Sequence, residues 1–254
     1  MRAPISLFVA VFAVLLGAPA LAASGVAMGV DQNATLEGES GARVLAVGSD
    51  VFIGDKVVTD ASGLVELRFS DRSRLVIGPL SSLVIEDYLL REDGSAGKFA
   101  VNALAGTFRF ITGGAAKDRY LITTPTGTVG VRGTAFDLNV DAQQTSLLLF
   151  HGAVILCTLD DKCVVVDEVC ELGQANTAEA LVLGLTDDIR GQAREALRSR
   201  FPYANSQSEL LAAFRLEQAR RCLNRPVTVP EQDPVSNVGE PEKYRGPFIL
   251  NSVP

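Results

Sequence analysis

The sequence predicts a mainly β protein: a compact β-roll or solenoid-like domain, with a β-sandwich as the alternative, followed by a C-terminal α-helical pair. Three observations carry this. Residues 43–173 are rich in Val, Ile, Leu, Thr and Gly, with turn residues about every eight to twelve positions. Within that stretch apolar and polar side chains alternate with period two, as strands with one buried face require. From about residue 186 to residue 223 the spacing becomes helical.

Residues 1–22 read as a signal peptide. Arg2 is the positive start, Ile5 to Leu16 an uncharged apolar run broken only by Ser6, and Ala20-Leu21-Ala22 a small-x-small site. The run is shorter than the ~20 residues of a membrane-spanning helix. Cleavage is expected between Ala22 and Ala23, and a periplasmic or secreted chain with no transmembrane anchor follows. Residues 23–42, small and polar, read as an extended lead-in.

Val65, Leu67 and Phe69 share one strand face, with Glu66 and Arg68 on the other. Ser70 to Ser73 make a turn, Leu75 and Ile77 resume the apolar face, and Gly78-Pro79 breaks the strand before Leu83 and Ile85. Phe108 and Phe110 alternate with Thr107 and Arg109; Phe136, Leu138 and Val140 alternate with Asp137 and Asn139. Such faces must be covered by a second sheet or by coiling, and about 130 residues suffice for a core.

Residues 174–223 read as a helical appendage. Asp187 and Asp188 begin the first helix, where acidic groups suit the positive end. Phe201-Pro202-Tyr203 separates it from a second, opened by the capping-box pattern Ser206-Gln207-Ser208-Glu209 and carrying an apolar stripe of Leu210, Leu211, Ala213 and Phe214. Residues 224–254 hold six of the eleven prolines and read as a disordered tail.

Cys157, Cys163, Cys170 and Cys222 form an even set in an exported chain, which reads as disulfides. Of three possible connectivities, Cys157–Cys163 with Cys170–Cys222 is favoured. The first pair flanks the hairpin turn 158–162; Cys222, about three turns after Leu211, projects from the stripe that faces the body. The loop closed by the second bond contributes about 4 kcal/mol in the loop-entropy model.

Without Arg2 the chain carries 22 Lys and Arg against 30 Asp and Glu, a net charge of −8 that argues against nucleic acid as partner. Residues 186–225 are net +3, leaving −11 elsewhere. A basic helical pair docked on an acidic β body is expected, or arginines free to touch an envelope protein or anionic envelope polymer.

The most distinctive run is Thr123-Thr124-Pro125-Thr126-Gly127-Thr128-Val129-Gly130-Val131-Arg132-Gly133-Thr134. It resembles the T-P-x-x-x-x-G-x-R-G-T signature of FecR domains. Three further blocks resemble the same family in its order. They are Val51 to Thr59 with Gly54-Asp55, Leu67 to Ser73 followed by Leu75 and Gly78-Pro79, and Leu104 to Phe110. The resemblance spans roughly residues 43–157. Family members often sit on membrane-spanning relays of siderophore signals to a cytoplasmic sigma factor. No helix bundle or transmembrane helix precedes the resembling region here, so the resemblance implies a free-standing exported FecR-like domain. The glycines of the run are expected to form a packed corner. As ligand-binding candidates, Arg132 aided by Arg109 would present guanidinium groups to an anion.

Nothing in the chain points to catalysis, a metal or a cofactor. The glycine spacing is G-x-x-G-x-x-G and no G-K-[ST] is present, which excludes the nucleotide motifs. His151 is alone, before Gly152 at an expected strand turn, and no G-x-S-x-G elbow accompanies it. The reading is an exported non-catalytic binding or interaction module of the cell envelope, in ligand sensing or signalling. The alternative is a carboxylate-dependent envelope glycan-modifying enzyme using pairs among Glu66, Asp71, Glu86 and Asp87.

Overall fold

The computed structural model describes residues 23–31, 33–39, 41–91, 96–113, 120–184 and 195–224. The expected signal peptide, the first-helix start at Asp187 and Asp188, and residues 225–254 of the expected tail lie outside the described residues.

The protein is mainly β, and two packed layers emerge from one continuous hydrogen-bonded sheet. Three long strands make this possible: β9 (Ala96–Ile111), β11 (Gly127–Val140) and β12 (Thr145–Thr158). Each bends near a glycine with positive φ: Gly106, Gly133 and Gly152. The two backbones touch where β11 and β12 bend; a Cβ on Gly152 would lie 2.3 Å from the Gly133 carbonyl oxygen. The β11–β12 register slips at this point, between Arg132 and Ala135, so the bend is a bulge that carries a strand from one layer to the other.

In the first layer β10 (Tyr120–Thr124) inserts between β9 and β11, parallel to the former and antiparallel to the latter. β8 (Ser82–Leu90), β5 (Lys56–Thr59), β2 (Ala34–Gly38) and β3 (Gly41–Val44) extend it on one side, and β13 (Cys163–Val166) beyond β12 on the other. In the second layer β9 and β11 pair directly through residues 106–111 and 135–140. β7 (Arg74–Ile77), β6 (Leu64–Phe69), β1 (Gly25–Asp31) and β4 (Asp50–Val51) continue one side; β14 (Leu172–Ala175) and β15 (Ala180–Leu183) continue the other beyond β12.

The main core lies between the layers and uses the alternating residues read from the sequence: Val65, Leu67, Phe69, Leu75, Ile77, Leu83, Ile85, Phe108, Phe136 and Leu138 are all buried. Phe69 of the second layer meets Phe99 of the first edge-on at 4.8 Å, a geometry aromatic rings favour.

Two boundaries differ from expectation. The described residues of the expected lead-in, 23–31, 33–39 and 41–42, are part of the roll: β1 is inserted between β4 and β6, and Ala27, Ala34 and Leu36 are buried. Their small side chains reflect close packing against neighbouring strands. At the other end β14 and β15 extend the sheet past residue 173.

The helical region forms a third layer over the outer face of the second layer. It consists of helical residues 195–200 (α1), α2 (Pro202–Asn205), a 3-10 turn at Ala212–Phe214 and α3 (Glu217–Asn224). Leu197, Phe201, Ala204, Ala219, Cys222 and Leu223 pack on Ile111, Ala135, Leu148, Phe150 and Leu172. Tyr203, Leu210 and Phe214 pack on Leu64 and Val76. The capping-box pattern at Ser206 does not open a helix. Gln207 instead turns inward, its carboxamide accepting from the Leu216 N–H at 2.6 Å and donating to the Leu216 carbonyl at 2.8 Å. That side chain closes a loop where an amphipathic helix was expected, a tertiary contact overriding a local pattern.

Both disulfides pair as favoured, Cys157–Cys163 across β12–β13 and Cys170–Cys222 between the turn preceding β14 and α3. Among the described residues no helix is long and apolar enough to cross a membrane.

Candidate functional site

The two candidate arginines are separated by the fold. Arg109 lies on the β9 face opposite Phe108 and Phe110, and that face is covered by the helical layer, leaving Arg109 0% exposed. Its register partner on β11 is Asp137, also 0% exposed. Arg109 Nε donates to Asp137 Oδ1 at 2.6 Å and Nη2 to Oδ2 at 2.9 Å, a bidentate pair. Nη1 donates to Gln207 Oε1 at 2.7 Å, and the guanidinium carbon sits 5.3 Å from the Phe150 ring centre and 5.8 Å from that of Tyr203. Burial pushes the Asp137 carboxyl up, and Arg109 pulls it back. The expectation that Arg109 presents a guanidinium to an external anion is therefore corrected: each of its nitrogens is engaged inside the protein.

Glu66, on the strand face opposite Val65 and Leu67, is 3% exposed and accepts the Leu211 N–H at 2.8 Å. Burial holds its carboxyl above the ordinary range, against the opposing pull of that N–H and of Arg215. The helical layer is thus tied to the body by Arg109–Gln207, Glu66–Leu211, Arg200–Ser146 and a bond from Arg74 to the Ala213 carbonyl, besides the Cys170–Cys222 disulfide. Two of these hydrogen bonds run from body arginines to the segment, one uses a segment backbone N–H and one runs from Arg200 of the segment to Ser146, while of the segment's basic side chains Arg215 acts on the acidic Glu66 of the body.

Asp71 forms a second hub, on the turn between β6 and β7. Oδ2 accepts Tyr120 Oη at 2.5 Å and Ser73 Oγ at 2.7 Å, and Oδ1 accepts the Ser73 N–H at 3.0 Å and Tyr88 Oη at 3.3 Å. Tyr88 and Tyr120 belong to the first layer, so Asp71 joins the layers at one end. Burial, with the Asp71 charge beside it, pushes the Tyr88 phenol up to about 12.

The motif run builds a corner and an open face. Pro125 and Thr126 turn between β10 and β11. Thr124, Thr126 and Thr145 hydroxyls form a chain with contacts of 2.7 and 2.8 Å, and Thr126 reaches the Ala175 carbonyl at 3.2 Å. Past the corner, Leu121, Gly130, Ile155 and Val165 form one register row across β10, β11, β12 and β13. This row lies on the outer face of the first layer, with Leu121 39% and Val165 48% exposed. Arg132, two residues beyond Gly130, is exposed on the same face. His151 is exposed mid-strand at the β12 bend, not in a turn between strands.

The four carboxylates named for a glycan-modifying enzyme do not converge. Glu66 faces the helical layer, Asp71 the interior, Asp87 pairs with Lys98 at 2.8 Å and Glu86 is exposed. Among the described residues no group of three or more His, Cys, Asp or Glu could hold a metal ion. Sequence reasoning missed Asp137, Gln207 and Tyr203. Asp137 stood on the polar side of its alternation, and only the β9–β11 register puts it opposite Arg109.

Fold and site together define a β-roll scaffold whose internal charges serve packing and whose first layer offers an open face. Residues 55–155 match the model of the FecR protein family, so this stretch is a FecR domain. No curated protein matches the chain. Among solved structures, two of a candidate anti-sigma factor from Parabacteroides distasonis are 12% identical, each covering 54% of this chain, with TM-scores of 0.43 and 0.42. The matched region spans 62% and 63% of those chains. A cell surface anchoring domain is 35% identical over 24% of this chain and 82% of its own, with a TM-score of 0.23.

Proposed function

We propose that the chain is an exported, non-catalytic FecR-like interaction module of the cell envelope, serving ligand sensing or signalling through contact with an envelope protein. One observation carries this reading. Arg109 and Asp71, one charged residue from each of two FecR motif blocks, are buried and bonded within the fold, while Arg68, Arg72 and the face around Arg132 stay open. Apolar Leu121 and Val165 beside a single arginine suit a protein surface better than a polyanion, which is held by many cations. The four carboxylates named for the glycan-modifying alternative do not face one another in the fold.

The test uses the full chain expressed with its own leader and recovered from the envelope fraction. The expected result is a shortened chain beginning at Ala23, a protein partner retained at physiological salt, and no turnover of envelope glycans. Glycan hydrolysis that disappears in Glu86→Gln or Asp87→Asn would overturn the reading. Retention on an anionic polymer, lost in salt, would replace the protein partner with that polymer.

A further inference from the structure

We infer that Gly130 and Arg132 are the centre of a docking site for an extended segment of a protein partner, which lays an apolar side chain over Gly130 and a carboxylate against Arg132. The inference rests on the interaction-module reading and gives that module a site and a partner chemistry.

It begins with a glycine that the fold does not require. Glycine inside a strand has no side chain to pack and loses more conformational freedom on folding than any other residue, so its presence calls for a local reason. Its neighbours in the motif have such reasons. A Cβ on Gly127 would lie 1.9 Å from the Cys157 carbonyl oxygen, and Gly133 has a φ of +63° at the bend. Gly130 has neither. Its φ is not positive, and the nearest described atom to an added Cβ is the Ile155 carbonyl oxygen at 3.9 Å, ordinary contact distance.

The missing side chain leaves a notch in the outer face. Leu121 on β10 and Ile155 on β12 are its register neighbours and form the two walls. The apolar row continues to Val165 on β13. A glycine in a strand interior marks a place where another chain or a ligand approaches closely, and here the approach is open only from outside.

Arg132 supplies the polar half. It projects from the same face two residues along β11, is exposed, and has no hydrogen bond or ion pair to another described residue. Same-face side chains of an extended chain repeat every ~7 Å. A partner segment running extended along β11 therefore brings positions i and i+2 over Gly130 and Arg132. The notch takes an apolar side chain; the guanidinium takes Asp or Glu, which it grips in bidentate fashion.

The test is photo-crosslinking in cells that export the full chain, with a benzophenone amino acid at Leu121 and, as control, at Val44, 77% exposed on β3 at the far edge of the same layer. The expected adduct forms from position 121 and not from 44. It maps to a partner segment with an acidic residue two positions from an apolar one. Gly130→Val lowers its yield at least about tenfold by filling the notch, while the thermal midpoint of the variant stays level or rises. Gly130→Ala, whose methyl fits at 3.9 Å, gives a smaller loss with full stability. Arg132→Glu abolishes the adduct and Arg132→Lys keeps part of it.

An adduct at 121 that is indifferent to Gly130→Val and Arg132→Glu would overturn the site. So would a fall in the thermal midpoint of Gly130→Ala, since the glycine would then be required by the fold. Adducts from Val44 alone would sink this site and leave the interaction module standing. No adduct from either position, with no protein partner retained on the chain recovered from the envelope, would sink the module itself.

Discussion

Arg109 on β9 and Asp137 on β11 are register partners joined by two hydrogen bonds, 2.6 and 2.9 Å long, on a sheet face sealed from water by the helical layer. A buried pair of this kind adds little over a well-packed apolar pair, but removing one member leaves the other uncompensated.

Arg109→Met alone, or Asp137→Leu alone, is therefore expected to cost about 3–5 kcal/mol of unfolding free energy. The double variant should recover much of that loss, because neither charge is left stranded. Urea denaturation of the four proteins measures the coupling. Single costs that simply add would refute the account.

Asp71 accepts hydrogen bonds from Tyr120, Tyr88 and Ser73 while 2% exposed. Asp71→Ala should cost about 3 kcal/mol, since it orphans several buried donors. The Tyr88 phenol supplies a second readout. Its ionisation is pushed up to about 12 from an ordinary 10, so the fold favours the neutral phenol. The associated stability is complete below pH 10 and lost as pH rises toward 12. Tyrosinate absorbance in the folded protein should show Tyr88 titrating late, and earlier in Asp71→Ala.

Glu66 is a carboxyl whose folded-state ionisation is raised by burial. The fold therefore favours its protonated form. Its contribution is greatest below the unfolded carboxyl range near 4.5 and is lost as pH rises through the higher folded value. Glu66→Gln removes the ionisation but keeps an acceptor for the Leu211 N–H. Its thermal midpoint should fall less between pH 4 and pH 7 than that of the parent (window set by the carboxyl range). Identical pH profiles for the two proteins would contradict this.

Gly152 has a φ of +82°, and a Cβ there would sit 2.3 Å from the Gly133 carbonyl oxygen. Gly152→Ala should cost at least ~2 kcal/mol by strain and collision. Chemical denaturation gives the number, and a variant as stable as the parent would exclude a packed corner at this bend.

Cys170–Cys222 ties α3 to the sheet across 52 residues. Cys222→Ser should lower stability by up to about 4 kcal/mol, the loop-entropy value. Hydrogen exchange should then report the helical layer opening ahead of the roll, with the amides of Leu211 and Leu216 losing protection first. Uniform loss across β9 and β11 would mean that the layer and roll unfold as one unit.

Much of the architecture was legible along the chain. The alternation of Val65, Leu67 and Phe69 and of Phe108 and Phe110 identified the inner faces, because a strand repeats every two residues and only one face meets the core. The four FecR blocks marked the domain, and the hairpin turn at 158–162 brought Cys157 to Cys163. The candidate site was only half legible. Arg132 is exposed as the sequence reading required, whereas Arg109 is not. The helical layer covers Arg109, Asp137 and Glu66, and period-two alternation carries no record of what a distant segment will later cover.

By itself, the sequence determined the β periodicity, most turn positions and the inner faces, since these depend on neighbours close along the chain or on a repeat of two; it favoured one cysteine connectivity of three, and the fold decided the Cys170–Cys222 bond across 52 residues. Tertiary structure alone decided that Gly25–Asp31 and Ala34–Gly38 join the sheet, that Ser206 opens a loop, and that Glu66, Arg109 and Asp137 are sealed inside. Those outcomes depend on which strands meet in register and on which segment packs across them. Residues such as Arg109 and Gln207 lie far apart in the chain, and no local pattern records that they meet.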